Sequence, residues 1–424
     1  MTSAPRYVYS AIFYLLTPVL LIRLWWRGRK SPGYRQRWWQ RFGFVPKMEN
    51  SPLWVHAVSV GETIAIAPFV ERLLKDYPEL PIVITTMTPT GAARVEGIFG
   101  NRVCHYYCPY DLPDALARFL KRVRPRGCLI VETELWPNMI IGCKKASVPV
   151  IVANARLSER SAKGYAKVRG LTEPMLSALT LLVTQYQSDA DRFLQLGMPA
   201  ERIDVSGSIK FDIQVDSDIR EKGAQLRQKL GNRFTVILAS SHEDEEQQLL
   251  TCLQPFIERH PDLLVMLVPR HPERFESVYQ SALQYSDQVI RRSEVPSLVS
   301  DEAARIYLGD TMGDLMLLYA ASDVAVMGGS FVNVGGHNPL EPAVLGMPVV
   351  MGPYYFNFDA ISDGMTQAGG MQLVSEMSGV IDLLHKYYVS SSLVDEQGSD
   401  ALAYADSQRG ALDHLYKEVT ARLL

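Results

Sequence analysis

The sequence predicts an α/β fold: two doubly wound parallel sheets in tandem behind a separate N-terminal helix. Three observations predict it. Short apolar runs alternate with helix-patterned stretches between residues 53 and 351, as expected of strands buried on both faces of parallel sheets. A polar stretch at 212–220 divides the series in two. Charge is divided as well. Residues 1–47 hold nine of the chain's 43 Lys and Arg and none of its 46 Asp and Glu, so a +9 head precedes a −12 body.

Within the head, residues 7–22 form an uncharged run of sixteen. As a helix it spans about 24 Å, short of the roughly 30 Å hydrocarbon core. Leu24, Trp25 and Trp26 lengthen it if Arg23 snorkels, and Pro18 can kink it. No small-residue cleavage site follows, which disfavours a removed signal peptide. The Trp pair, with eight of the nine charges after the run, predicts a membrane anchor, spanning or interfacial, with the body on the cytoplasmic side. The competing reading is a helix packed on the body. Arg35, Arg37, Trp38, Trp39, Arg41 and Phe42 then interleave cations with aromatics. They suit anionic headgroups or a phosphorylated lipid substrate, or serve only as a topology signal.

The body follows element by element. Apolar runs predict strands at 53–58, 81–86, 127–131, 148–153, 179–184 and 202–205, with helices at 63–77 and from Thr88-Pro89-Thr90-Gly91 onward. After 212–220 come strands at 234–240, 263–268, 306–308, 323–327 and 348–351, with helices at 243–259 and 314–321. The helical segment from about residue 401 is expected to cross back to the first domain. The predicted domains are 1–47 (anchor and basic segment), 48–212 (first α/β domain) and 213–424 (second α/β domain). Ligands of such sheets bind beyond the C-terminal strand ends, so a cleft between the domains is the expected site.

Composition excludes several classes. Hydrophobic content of 47% with 21% charged residues fits neither a mainly disordered nor a polytopic membrane protein. The acidic body argues against nucleic-acid binding. Five cysteines, an odd number in a chain able to build its own core, argue against a disulfide framework and for a reducing compartment. Cys104-x3-Cys108 lacks the second pair that a zinc site needs. Asp189-x-Asp191 and Asp216-x-Asp218 read as solvated acids, and no metal cluster stands out.

Chemistry concentrates at predicted strand ends. Gly328-Gly329-Ser330 through Gly335-Gly336-His337-Asn338-Pro339-Leu340-Glu341-Pro342 follows a strand and opens a helix. Its glycines allow close backbone approach to an anion, Asn338 suits the N-cap and Pro339 the first helical position. Glu341 can accept from ribose hydroxyls. The spacing is neither the dinucleotide fingerprint nor a Walker loop. Arg270 ends another strand and can pair with phosphate, and Gly309 to Leu315 ends a third. In the first series, Glu62 follows a strand at a helix start, where the helix dipole is expected to keep it ionised and able to accept a proton. Glu132, Glu134 and Lys210 also follow strands. Each has a bland alternative as a surface charge or a helix cap.

Together, Arg35–Phe44, His56-x5-Glu62, Glu132-Thr133-Glu134-Leu135-Trp136-Pro137-Asn138, Asn154-Ala155-Arg156-Leu157-Ser158, 207–212, 269–272 and 328–342 resemble the bacterial 3-deoxy-D-manno-octulosonic acid (Kdo) transferases across nearly the whole chain. The resemblance implies a GT-B glycosyltransferase fold, a CMP-Kdo donor, a phosphorylated lipid A precursor as acceptor, the inner membrane's cytoplasmic face, and inversion without a required metal or cofactor. It implies Glu62 as general base, with Glu132 and Lys210 stabilising the transition state. Pro269, Arg270, Met312, Gly313, Asp314, Leu315, Asn338, Pro339, Leu340 and Glu341 would form the CMP site. The alternatives are a GT-B transferase using a UDP-sugar on another membrane lipid, a sugar-nucleotide epimerase, and a non-catalytic membrane-bound nucleotide sensor.

Overall fold

The computed structural model describes residues 4–29, 31–213, 215, 217–294 and 304–424. It divides into two compact units, Met1–Asp212 with Arg409–Leu424, and Ile213–Gln408.

The first unit is built on β1 (Leu53–His56), β2 (Ile82–Thr86), β3 (Cys104–Tyr107), β4 (Gly127–Val131), β5 (Val150–Ala155), β6 (Leu181–Thr184) and β7 (Ile203–Val205). They form one parallel sheet in the order β3-β2-β1-β4-β5-β6-β7. The order reverses between β1 and β4, which opens a crevice at their C-terminal ends. Trp54 on β1 is fully buried against Phe119, with ring centroids 4.8 Å apart.

The C-terminal helix Ala411–Leu423 completes this unit. Its apolar stripe, including Leu412, Leu415, Val419 and Leu423, joins the core beside β1 and β4. Gly127 is required there, because a Cβ would lie 2.8 Å from the Leu423 side chain. Asp212 fixes the start of the helix, its carboxylate accepting from Gly410 N at 2.8 Å and Leu412 N at 2.6 Å.

The second unit contains β8 (Phe234–Ser241), β9 (Leu263–Pro269), β10 (Val289–Arg291), β11 (Ile306–Leu308), β12 (Val324–Met327), β13 (Val349–Met351) and β14 (Met371–Leu373). Its parallel sheet runs β10-β11-β9-β8-β12-β13-β14 and reverses between β8 and β12. Both units are therefore doubly wound.

Several expectations shift. The apolar series omits β3, β10 and β14, all edge strands. An edge strand is not covered on both sides, so polar or half-exposed sequences such as Cys104-His105-Tyr106-Tyr107 suffice. The polar stretch 212–220 is only partly a connection, since the helix Ser217–Lys229 begins inside it. Asp189 is buried rather than solvated, because its carboxylate accepts the Leu157 amide at 2.8 Å. Asp218 is exposed and pairs with Lys222, while Asp216 lies outside the described residues, as does Lys30 in the basic head. Cys108, Cys128 and Cys143 are buried and unbridged. Among the described residues one helix, Ala4–Arg27, is long and apolar enough to cross a membrane.

Candidate active site

In the first unit, Glu62 stands where the sheet order reverses. It lies in the first turn of the helix Val60–Asp76, which begins after β1. Ser59 caps this helix and donates its hydroxyl to Glu62 Oε1 at 2.9 Å, while Val58 N donates to Oε2 at 2.6 Å. This is a variant of the capping box, with the amide before the cap as the second donor. The carboxyl is buried. Burial pushes its pKa up to about 7; the bonds from Val58 and Ser59 pull it down, and nearby Glu132 and Glu134 push it up again. The expectation of a lowered pKa is thus corrected. Desolvation of a carboxylate outweighs the two donors of the helix start.

Glu132 follows β4, on the other side of the reversal. Its backbone is left-handed at φ 62°, an unusual conformation for a non-glycine residue. Such strain costs on the order of 1 kcal/mol and tends to persist at functional sites. Its carboxylate meets Lys210 Nζ at 3.0 Å, both side chains about one-third exposed. Lys210 lies in the short turn Ile209–Phe211 after β7. Asn154, also left-handed at φ 59°, accepts the Ile209 amide at 3.2 Å and so ties that turn to β5. Glu134 is turned aside, accepting from Trp136 Nε1 at 2.9 Å. The first unit thus gathers Glu62, Glu132 and Lys210 around the carboxyl ends of its strands.

The second unit has its own reversal between β8 and β12. The Gly328-Gly329-Ser330 turn follows β12, and two amides of this segment already have a carboxylate partner. Gly329 N, Phe331 N and His242 N all donate to Glu245, at 2.7, 3.0 and 2.8 Å. An internal carboxylate thus takes the Gly329 and Phe331 amides of the glycine-rich segment. The helix that follows is also reduced to four residues, Leu340–Ala343, with Pro339 in the cap position. Asn338 still caps, its Oδ1 accepting the Leu340 amide at 3.2 Å. Glu341 is half-buried, and burial raises its pKa against the opposing effects of Asn338 and Arg270.

Pro269 ends β9, and Arg270 is exposed beyond it, its amide bound to Ser241 O at 3.0 Å. Met312 is exposed and Gly313 left-handed, just before Leu315 opens a helix. Asp314 is less available than expected, since Arg292 (3.1 Å) and Thr311 (2.6 Å) hold its carboxylate. His242 and His337 are hydrogen-bonded through their Nε2 atoms at 2.9 Å, with ring planes 5° apart. His271 meets His242 edge-on at 5.5 Å.

Elsewhere, Asp204, His414 and Glu418 bring three possible metal-ligand atoms within 4.8 Å of one another. The separation of 210 positions between Asp204 and His414 hid this group from sequence reasoning. His414 and Asp204 bond at 2.6 Å, and Arg422 holds Glu418, so the group serves to fasten the C-terminal helix to β7.

A family model described as 3-Deoxy-D-manno-octulosonic-acid transferase (kdotransferase) matches residues 36–213. The 3-deoxy-D-manno-octulosonic acid transferase of Haemophilus influenzae is 39% identical over 421 residues, 97% of each chain. The chain belongs to the Kdo transferase family. It is accordingly a glycosyltransferase, and its two Rossmann-like units are those of the GT-B fold. The Bordetella pertussis Kdo transferase is 32% identical, covering 97% of this chain and 98% of its own. UDP-GlcNAc 2-epimerase from Neisseria meningitidis aligns over 88% of this chain with a TM-score of 0.58 and 14% identity, a likeness of fold alone.

In this Kdo transferase, sequence reasoning missed Ser59, Asn154, His242 and Glu245 as parts of the candidate site. Ser59 had a signal, the Ser-x-x-Glu spacing of a capping box. His242 and Glu245 follow β8 much as Glu62 follows β1, an equivalence visible only once both sheets are drawn.

Proposed function

We propose that the protein transfers Kdo, with inversion, from CMP-Kdo to a phosphorylated lipid A precursor during lipopolysaccharide synthesis, at the cytoplasmic face of the inner membrane. Glu62 is the general base in this reading, and one observation carries it: a buried carboxyl at the sheet reversal with its pKa raised to about 7. A base near the operating pH is ionised often enough to act and basic enough to take a proton. Such assistance is worth roughly 10²–10⁴-fold.

The acceptor hydroxyl attacks the anomeric carbon opposite the departing CMP phosphate, and its proton passes to the Glu62 carboxylate. Glu132 holds Lys210, and the pair steadies charge as the glycosidic bond to CMP breaks. Pro269, Arg270, Met312, Gly313, Asp314, Leu315, Asn338, Pro339, Leu340 and Glu341 hold the nucleotide. Here Arg270 faces phosphate and Glu341 the ribose, while Asp314 acts indirectly, by fixing its loop. No cofactor beyond the donor enters this scheme. The support is the resemblance together with the gathering of Glu62, Glu132 and Lys210.

Purified protein with CMP-Kdo and tetra-acylated lipid A precursor, read by mass spectrometry, tests the proposal. One or more Kdo increments are expected, and none from Glu62→Gln. Transfer from UDP-sugars but not from CMP-Kdo would overturn the donor assignment.

A further inference from the structure

The geometry points to an N-terminal helix that lies in the plane of the membrane surface, clamped lengthwise on the first unit, with its outer face sunk among the lipids. This rests on the membrane-anchor reading and specifies its form.

The helix Ala4–Arg27 is about 36 Å long at 1.5 Å per residue. It touches the body from end to end. Near its start, Pro5 Cγ lies 3.1 Å from where a Cβ on Gly170 would stand. One turn on, Arg6 Nε donates to Asn138 Oδ1 at 2.7 Å, and Ser10 Oγ exchanges a hydrogen bond with the Asn138 amide at 3.0 Å. Phe13 meets Trp136 edge-on at 6.3 Å, and Tyr14 donates to Asp114. Near its end, Leu20 and Leu24 pack on Tyr110, Leu112 and Ala115.

A helix so attached cannot cross a bilayer alone. If it stood upright, Asp114 with its partner Arg118 (2.8 Å), and buried Asp111 and Asn138, would be carried along into the hydrocarbon. Charged groups at that depth are strongly disfavoured. The outward face is nevertheless apolar. Val8, Ile12, Leu15, Val19, Ile22 and Trp26 recur at alternating steps of four and three residues, all exposed, Leu15 by 78%. Such a stripe suits the boundary between headgroups and acyl chains.

Charge identifies the occupant of that face. No acidic residue occurs in residues 1–47. Arg23, Arg27 and Arg29 are exposed at the C-terminal end, and Arg29 and Arg35 both stack on Trp25, at 4.6 and 5.0 Å. Cations beside an interfacial tryptophan fit anionic headgroups rather than a second copy of an equally basic head.

The test uses the full chain carrying Pro5→Cys and Gly170→Cys, with Cys104→Ser removing the exposed native thiol. Pro5 Cβ stands 3.9 Å from the Cβ position of residue 170, within disulfide range. In isolated membranes, near-complete cross-linking of a membrane-bound, active enzyme is expected. Cross-linking in detergent but not in membranes shows a helix that leaves the body to span, and overturns the proposal. Failure in both overturns the lengthwise packing itself. The cross-linked protein is also expected to float with vesicles of anionic phospholipid, and Leu15→Glu to reduce flotation at least tenfold. Cross-linked protein that self-associates instead of floating overturns lipid as the occupant. A parent chain that fractionates as soluble defeats the anchor reading itself.

Discussion

At the residue scale, Glu62 shows how a common helix cap acquires a different acidity. On an exposed helix the same Ser-x-x-Glu pattern would keep the carboxylate ionised well below neutral pH. Burial reverses the balance and raises the pKa to about 7. The expected consequence is a kcat/KM that falls about tenfold per pH unit below 7, as the base becomes protonated. Ser59→Ala removes a donor that favours the ionised form, so this acidic limb should move to higher pH, and the lost cap should cost about 1 kcal/mol. A pH profile and a urea titration of the same variant measure both. The sign for stability runs the other way. The folded carboxyl keeps its proton to higher pH than an ordinary one near 4.5, so stability should decline as pH rises from about 4.5 to 7 and level off above. Glu62→Gln should flatten that part of the stability curve.

At the element scale, the C-terminal helix is joined to the first unit by a few contacts that no local pattern announces. Asp212 accepts two amides at its start, and Gly127 leaves room for Leu423. Asp212→Ala should destabilise the protein by about 1–2 kcal/mol through lost capping, read as a lower urea midpoint. Gly127→Val should do more harm, because the added carbons meet Leu423 on a packed sheet. The glycine-rich turn carries the opposite lesson. Its pattern was legible as an anion nest, but its internal partner was not. Glu245, 84 residues from Gly329 in sequence, accepts the Gly329 and Phe331 amides. Glu245→Gln keeps the shape but removes the charge those amides face. It is expected to lower stability and, if phosphate binds outside this nest, to leave CMP affinity within a few-fold of the parent by titration calorimetry.

At the scale of the whole molecule, two sheets with the same winding each reverse strand order beside candidate residues, Glu62 and Glu132 in the first and the Gly328-Gly329 turn in the second. Glu341→Ala should weaken CMP binding measured by calorimetry at least tenfold while leaving the thermal unfolding midpoint nearly unchanged. Unaltered affinity would remove Glu341 from the proposed nucleotide site. The +9 head belongs to this scale as well. Its helix Ala4–Arg27 packs on the first unit, so the proposed base and the helix proposed to face the membrane are borne by one compact unit.

The sequence by itself determined the α/β class, the central strands, the basic head, and Glu62, Glu132, Lys210 and Arg270 as strand-end candidates. Central strands are buried on both faces and so must be written as apolar runs, and strand ends are read directly from where those runs stop. Edge strands, with one side uncovered, carry no such compulsion, and β3, β10 and β14 were therefore silent. The tertiary structure alone decided what depends on partners distant in the chain. Desolvation set the acidity of Glu62, Glu245 took the Gly329 and Phe331 amides, Asn154 positioned the turn of Lys210, and Asn138 and Asp114 held the N-terminal helix against the first unit. Burial and long-range hydrogen bonding are properties of neighbours in space, and a linear pattern names only neighbours in sequence.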